Sequence, residues 1–318
     1  MHAAALPLSV TLAVLAAAVT HATWNAIAHG IRDQLLAFGL IGAGSVAAAV
    51  PVIAASPFPL AACWPYLLAS VFIHVFYNLL LMRAYRYGDF GQTYPLARGT
   101  SPLVVTVLAA VFAAERPSLP QAAGVLVVSS GLAVLVLGGR RAGSRPGAGA
   151  GSRPGAGAGS RPDAGAGSRP GFRSGPGPGR AALLAAGGTG LTISAYTMVD
   201  GLGVRLSGSP AGYAGWLMLL ESLCVPAWAL ARRRDAVRGL SARTLLAGSS
   251  AGALSVLAYG LVLWAQTRGA LAPIAALRET SVIFGALIGT VVFREPFGRW
   301  RIAATVLVVL GVLLLNAS

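Results

Sequence analysis

Arg98 and Arg278 lie inside long apolar runs, well away from either polar boundary. A guanidinium fixed in such a place can hold a carboxylate or phosphate through two parallel N–H···O bonds. The plainer alternative is that the long side chain snorkels to a polar edge. Tyr94, one turn before Arg98, offers the same site a hydroxyl, and Glu279 follows Arg278 directly. Neighbouring helical residues point about 100° apart, so Arg278 and Glu279 need not pair with each other. Glu221 stands in Leu219-Leu220-Glu221-Ser222-Leu223, again within an apolar run. An ionisable group there is costly unless paired or neutral, which makes Glu221 a candidate proton carrier.

Two polar stripes accompany these charges. Ser70, His74, Tyr77 and Asn78 share one helical face, and Ser255 and Tyr259 occupy matching positions later in the chain. His21, Trp24 and Asn25 form a second face, with stacking and hydrogen-bonding groups that suit a small polar metabolite. Trp24 could equally anchor a helix at a membrane interface, and the Ser70 stripe could be interhelical glue. Asp200-Gly201 reads as a helix end and Asp89 as loop.

The elements that must position these residues follow from composition. Of 318 residues, 56% are hydrophobic and only 10% charged, with a mean hydropathy of +0.72. Soluble domains carry about 25% charged residues, so the expected class is all-α integral membrane. A spanning helix takes roughly 20 apolar residues. Ten segments qualify, near 6–28, 34–55, 64–82, 92–114, 119–138, 181–200, 211–231, 243–266, 270–293 and 299–316. Pro95, Pro102 and Pro273 would let the fourth and ninth segments bend. The first segment lacks a preceding basic region and a convincing cleavage site, so it reads as a retained helix.

The ten segments fall into two sets of five. Arg98-Gly99-Thr100-Ser101 and Arg278-Glu279-Thr280-Ser281 are 180 residues apart, as are Glu115 and Glu295, each placed at a helix-end turn or cap. This divides the chain into a first repeat (1–142), a linker (143–180) and a second repeat (181–318). The linker repeats Gly-Ser-Arg-Pro-Gly-Ala-Gly-Ala and is too poor in apolar surface to order itself, so it should be a flexible cationic tether. An odd number of helices inverts the second copy relative to the first, as in many carriers.

All 24 basic residues are arginine. With helix ends assigned to the adjoining loop, 19 lie after odd-numbered segments, three lie on the opposite side, and two are Arg98 and Arg278. The positive-inside rule then puts the linker in the cytoplasm and both termini outside. The net charge of +15 sits in loops and linker rather than on a folded basic surface, which argues against nucleic acid. Cys63 and Cys224 have no metal-ligand spacing and read as small apolar side chains. No cofactor or metal is expected.

On these residues the chain resembles the EamA-type transporters of the drug/metabolite transporter superfamily. The likeness rests on His21-Ala22-Thr23-Trp24-Asn25, Ala84-Tyr85-Arg86-Tyr87-Gly88-Asp89, Tyr94-Pro95-Leu96-Ala97-Arg98-Gly99 and the two glutamate turns. It implies a multi-pass inner-membrane carrier, monomeric or homodimeric, exporting a small polar metabolite by alternating access, with proton coupling possible. It also implies cytoplasmic termini, against which the arginine distribution is taken. The expected substrate site comprises Trp24, Asn25, His74, Tyr77, Asn78, Tyr94, Arg98, Glu221, Tyr259, Arg278 and Glu279. An intramembrane enzyme would need a nucleophile with its base or a metal cluster, which the four histidines do not form in sequence. A non-transporting scaffold would have a sealed, apolar interior.

Overall fold

The structure, a computed structural model, describes residues 6–31, 33–87, 98, 101–143, 180–292 and 298–317. Tyr94, Asp89, the Glu295 turn and nearly all of the 143–180 linker lie outside the described residues. Twelve helices are labelled here: α1 (Leu8–Gly30), α2 (Gln34–Ala54), α3 (Trp64–Tyr87), α4 (Ser101–Phe112), α5 (Leu119–Gly143), α6 (Arg180–Arg205), α7 (Pro210–Glu221), α8 (Cys224–Arg232), α9 (Ala242–Gln266), α10 (Leu271–Arg278), α11 (Ser281–Val292) and α12 (Arg299–Leu315). A 3₁₀ turn at Ala61–Cys63 leads into α3, and a short helical turn at Arg234–Arg238 follows α8.

Among the described residues, six stretches are long and apolar enough to cross a bilayer: Leu8–Ala28, Gln34–Ala54, Ala61–Leu80, Pro210–Arg232, Ala242–Gln266 and Leu271–Val292. Ser101–Phe112 and Leu119–Leu135 are shorter apolar helices. The chain is a multi-pass membrane protein, helical throughout its described spans. Its surface confirms the solvent: Leu8, Phe72, Leu119 and Val291 are exposed, whereas His74, Arg98, Asp200, Arg278 and Glu279 are buried. In water that distribution would be unstable; in lipid it is what apolar surroundings select.

Local chemistry sets several helix ends. Asp33 accepts from the backbone N–H groups of Leu35 and Leu36 and caps α2. Ser209 accepts from Gly212 N–H, with Pro210 opening α7, and Ser241 accepts from Thr244 N–H at the start of α9. These are N-cap pairs of the usual kind.

Two of the expected spans are broken. The seventh divides into α7 and α8 at Ser222-Leu223, just upstream of Pro226, whose ring cannot donate to the Ser222 carbonyl and crowds it. The ninth divides at Glu279-Thr280 through short-range bonds: Thr280 N–H to Leu277 O at 3.1 Å and Val282 N–H to Glu279 O at 3.0 Å. The Thr280 hydroxyl also donates to Leu277 O at 2.8 Å. Pro273, expected to bend this segment, instead sits in the first turn of α10, where a missing N–H costs little.

The helices pack in pairs drawn from both parts of the chain: α3 on α6 and α1 on α9, α2 on α9 and α3 on α7, α4 on α6 and α1 on α11. α5 lies along α12, α4 on α10, and α2 on α7 and α8. The α2–α9 crossing depends on glycine. A Cβ on Gly44 would strike the backbone of Ser249, and one on Gly252 would strike the Ile41 carbonyl. The approach lets Ser45 donate to the Gly252 carbonyl at 3.2 Å. Small residues at helix contacts are the usual means of close packing in lipid.

Candidate functional site

A cavity of about 100 Å³ sits in the middle of the bundle, walled by α1, α2, α3, α6, α7, α8, α9 and α10. One water takes roughly 10–15 Å³ of such space, so there is room for a small organic molecule. Trp24, His74, Tyr77, Asn78, Glu221, Tyr259 and Arg278, all expected from the sequence, line it. His21, Ser255 and Tyr196 join them.

Arg278 is buried at the end of α10, beside the helix break. Among the described residues its Nε and Nη2 have no hydrogen-bond acceptor, and Nε lies 3.9 Å from Glu279 Oε1. Its Cζ stands 5.8 Å over the Tyr196 ring, a cation–π approach. A buried guanidinium with free N–H groups calls for an anionic or carbonyl acceptor.

Arg98 and Glu279 form a layer behind the cavity rather than its wall. Arg98 Nε donates to Glu279 Oε2 at 2.7 Å and Nη2 to Oε1 at 3.2 Å, a two-pronged pair with both side chains almost wholly buried. Neither arginine snorkels. The bond joins the two parts of the chain, and it takes Glu279 away from Arg278, its neighbour in sequence. The second helix break therefore coincides with the carboxylate that Arg98 holds.

His21 lies between Arg98 and Trp24. Arg98 Nη1 is 2.6 Å from its Nε2, and Trp24 Nε1 is 3.2 Å from its Nδ1. Both partners are donors, and a neutral imidazole has one acceptor nitrogen. The charge-assisted contact from Arg98 is the stronger. Trp24 is buried against Ala28, Ile41 and Ala251, so it is not an interfacial anchor. Asn25 departs from expectation: its amide donates to the His21 carbonyl at 2.8 Å, and it is absent from the cavity wall.

On the opposite wall, His74 stacks on Tyr196, with ring centroids 4.0 Å apart. Its Nδ1 is 3.0 Å from the Ser70 carbonyl, an acceptor only, so Nδ1 carries the hydrogen. Glu221 Oε2 lies 3.4 Å from that nitrogen and has no hydrogen bond among the described residues. Glu221 ends α7 at the first helix break.

The sequence reading missed Asp200, Tyr196 and Tyr213. Asp200 is not a helix end, because α6 continues to Arg205. It is fully buried and accepts from the hydroxyls of Tyr213, at 3.0 Å, and Tyr259. The signal was present: apolar residues resume after Asp200-Gly201 and run to Val204. Glu115 is a cap, as expected, but of a distant helix. Its Oε2 accepts from Leu271 N–H at the start of α10, and its Oε1 pairs with Arg205 at 2.7 Å.

Residues 180–317 match the EamA-like transporter family. This chain carries an EamA-like transporter domain. The family is one of membrane transporters within the drug/metabolite transporter superfamily, whose members move small molecules across a lipid bilayer. No curated protein matches. A solved structure described only as "Crystal structure of protein" is similar over 96% of each chain, with 19% identity and a TM-score of 0.63. At that identity the likeness carries the fold alone, and it extends beyond the EamA domain to nearly the whole chain.

Proposed function

We propose that this protein is a secondary transporter that moves a small polar metabolite across the bacterial inner membrane by alternating access. The observation that carries the reading is the central cavity, where Arg278 and Glu221 present polar atoms without hydrogen bonds among the described residues, at two helix breaks. Unwound points in spanning helices are where carriers of inverted-repeat design bind substrate. The Arg278 guanidinium would take a carboxylate or another anionic group. Glu221 would take an ammonium group or a proton, and the Trp24, Tyr196 and His74 rings would flank an organic body.

The two five-helix units would be inverted copies. The helix pairing supports this, since exchanging the first and second sets of five segments converts α3 on α6 into α9 on α1, and α4 on α6 into α10 and α11 on α1. The polar wall reaches Phe38, Asn78 and Val225, toward the arginine-rich ends. The other ends are filled by Cys63, Leu67, Val204, Tyr213, Leu217 and Leu263. With those arginine-rich ends in the cytoplasm, the cavity faces inward, the side from which an exporter loads.

The test is transport by the full-length protein in proteoliposomes, using a panel of radiolabelled amino acids, nucleosides and organic acids. Saturable counterflow of at least one member is expected. Glu221→Gln should retain that exchange and lose accumulation driven by a pH gradient. Unchanged gradient-driven flux removes Glu221 from coupling, and no flux across the panel counts against the carrier reading. A periplasm-dependent reporter fused to the C-terminus should be active if both termini lie outside.

A further inference from the structure

Asp200, among the described residues, is a buried carboxylate that does not line the substrate cavity. Its carboxylate lies between the cavity and the packed apolar plug that fills the other ends of α3, α6, α7 and α9. Tyr259, from α9, reaches it from the cavity side, and Tyr213, from α7, reaches it from within the plug. Two phenol hydroxyls thus tie α7 and α9 to one residue of α6. No cation forms an ion pair with Asp200 among the described residues.

The groups facing it are few. From α3 comes Ser70, from α7 Tyr213 and Glu221, from α9 Tyr259, and from α10 Arg278, while His74 of α3 meets Ser70 and Glu221. Tyr196 shares α6, and Cys63 lies behind Tyr213 in the plug. α4 carries no charged side chain.

We propose that Asp200 is a proton-binding site that clasps the plug, closed when ionised and released when protonated. The proposal rests on the carrier reading and adds to it a second acidic group, distinct from Glu221. The chemistry is a single protonation. As a carboxylate, Asp200 is acceptor-only and serves both hydroxyls at once. A proton arriving through the plug adds to one oxygen, forming an O–H and cancelling the charge. That oxygen becomes a donor, so the tyrosine hydroxyl aimed at it must turn its hydrogen elsewhere and accept instead, and both contacts fall from charge-assisted to neutral strength. The common anchor of α7 and α9 on α6 is then weakened, at the end of the pathway that the cavity does not reach. Protonation from that side would favour opening toward it, the step an exporter needs to discharge substrate against inward proton flow.

Two measurements on the purified full-length protein test this, and neither needs a substrate. The first is an infrared difference spectrum between acidic and alkaline buffer. Wild type should show a protonated-carboxyl band that Asp200→Asn removes and Glu221→Gln does not. An identical band in D200N overturns the proton site. The second uses Cys63, which is buried, in a Cys224→Ser background that silences the exposed thiol. At one fixed pH, N-ethylmaleimide should label Cys63 about tenfold faster or more in D200N, because two bonds to a charged group are weakened. Tyr213→Phe and Tyr259→Phe, which keep the carboxylate and remove one donor each, should raise the rate by a smaller factor. They also serve if D200N fails to fold. Labelling at the wild-type rate in the folded variants overturns the clasp. Loss of transport alone would count against the carrier reading and leave both results standing.

Discussion

Glu279→Gln is the most direct test of the architecture. Glu279 receives two bonds from Arg98, at 2.7 and 3.2 Å, with the two side chains only 1% and 3% exposed. Water screens neither charge. Neutralising Glu279 leaves the Arg98 guanidinium buried without its anion, and removes the carboxylate 3.9 Å from Arg278 as well. Breaking one partner of a buried pair typically costs about 3–5 kcal/mol, whereas replacing both partners by neutral groups is often nearly neutral. The single variants Glu279→Gln and Arg98→Met should therefore each lose about 3–5 kcal/mol. The double variant should lie within about 2 kcal/mol of wild type rather than at the sum of the two losses. Reversible unfolding in mixed detergent–dodecylsulfate micelles measures all four corners of the cycle. A double variant as unstable as the two singles added together would show that the charges act independently, and the argument for a load-sharing bond between the halves would fail.

Two further outcomes follow from the same geometry. Arg278→Met should abolish substrate exchange yet leave unfolding stability unchanged or raised, because it removes a buried charge whose Nε and Nη2 have no acceptor among the described residues. A loss of stability equal to that of Glu279→Gln would place Arg278 in the framework instead. Gly252→Val should destabilise the α2–α9 crossing by about 1–3 kcal/mol, since its Cβ meets the Ile41 carbonyl. The readout is a lower melting temperature in detergent, and Gly285→Val, at a position with open space around its Cβ, is the control expected to change it little.

The class of this protein was legible in its composition, and so were most of the polar residues around the cavity. Polar side chains spaced at i, i+4, i+7 and i+8 in an apolar helix can face lipid only at great cost, so His74, Tyr77 and Asn78 had to point inward wherever the helix stood. The pairing of charges was not legible in the same way. Arg278 and Glu279 are adjacent in sequence, yet the bidentate partner of Glu279 is Arg98, 181 positions away, because a helix sends neighbours in different directions and packing alone decides which faces meet. Asp200 escaped for a related reason. It looked like a boundary, and only the continuation of α6 and the arrival of Tyr213 and Tyr259 from two other helices made it a buried acceptor. Asn25 shows the reverse: its spacing beside Trp24 suggested a ligand contact, but a nearer acceptor, the His21 carbonyl, took its amide.

The sequence by itself determined that helices form, that lipid surrounds them and that certain polar residues must turn inward, because these depend on local periodicity and the cost of burying polarity. Which inward residues meet, where two of the spans break, and which N–H and carboxyl groups remain without partners were decided by tertiary packing. Those outcomes depend on distances between segments far apart in the chain, and no local pattern encodes them.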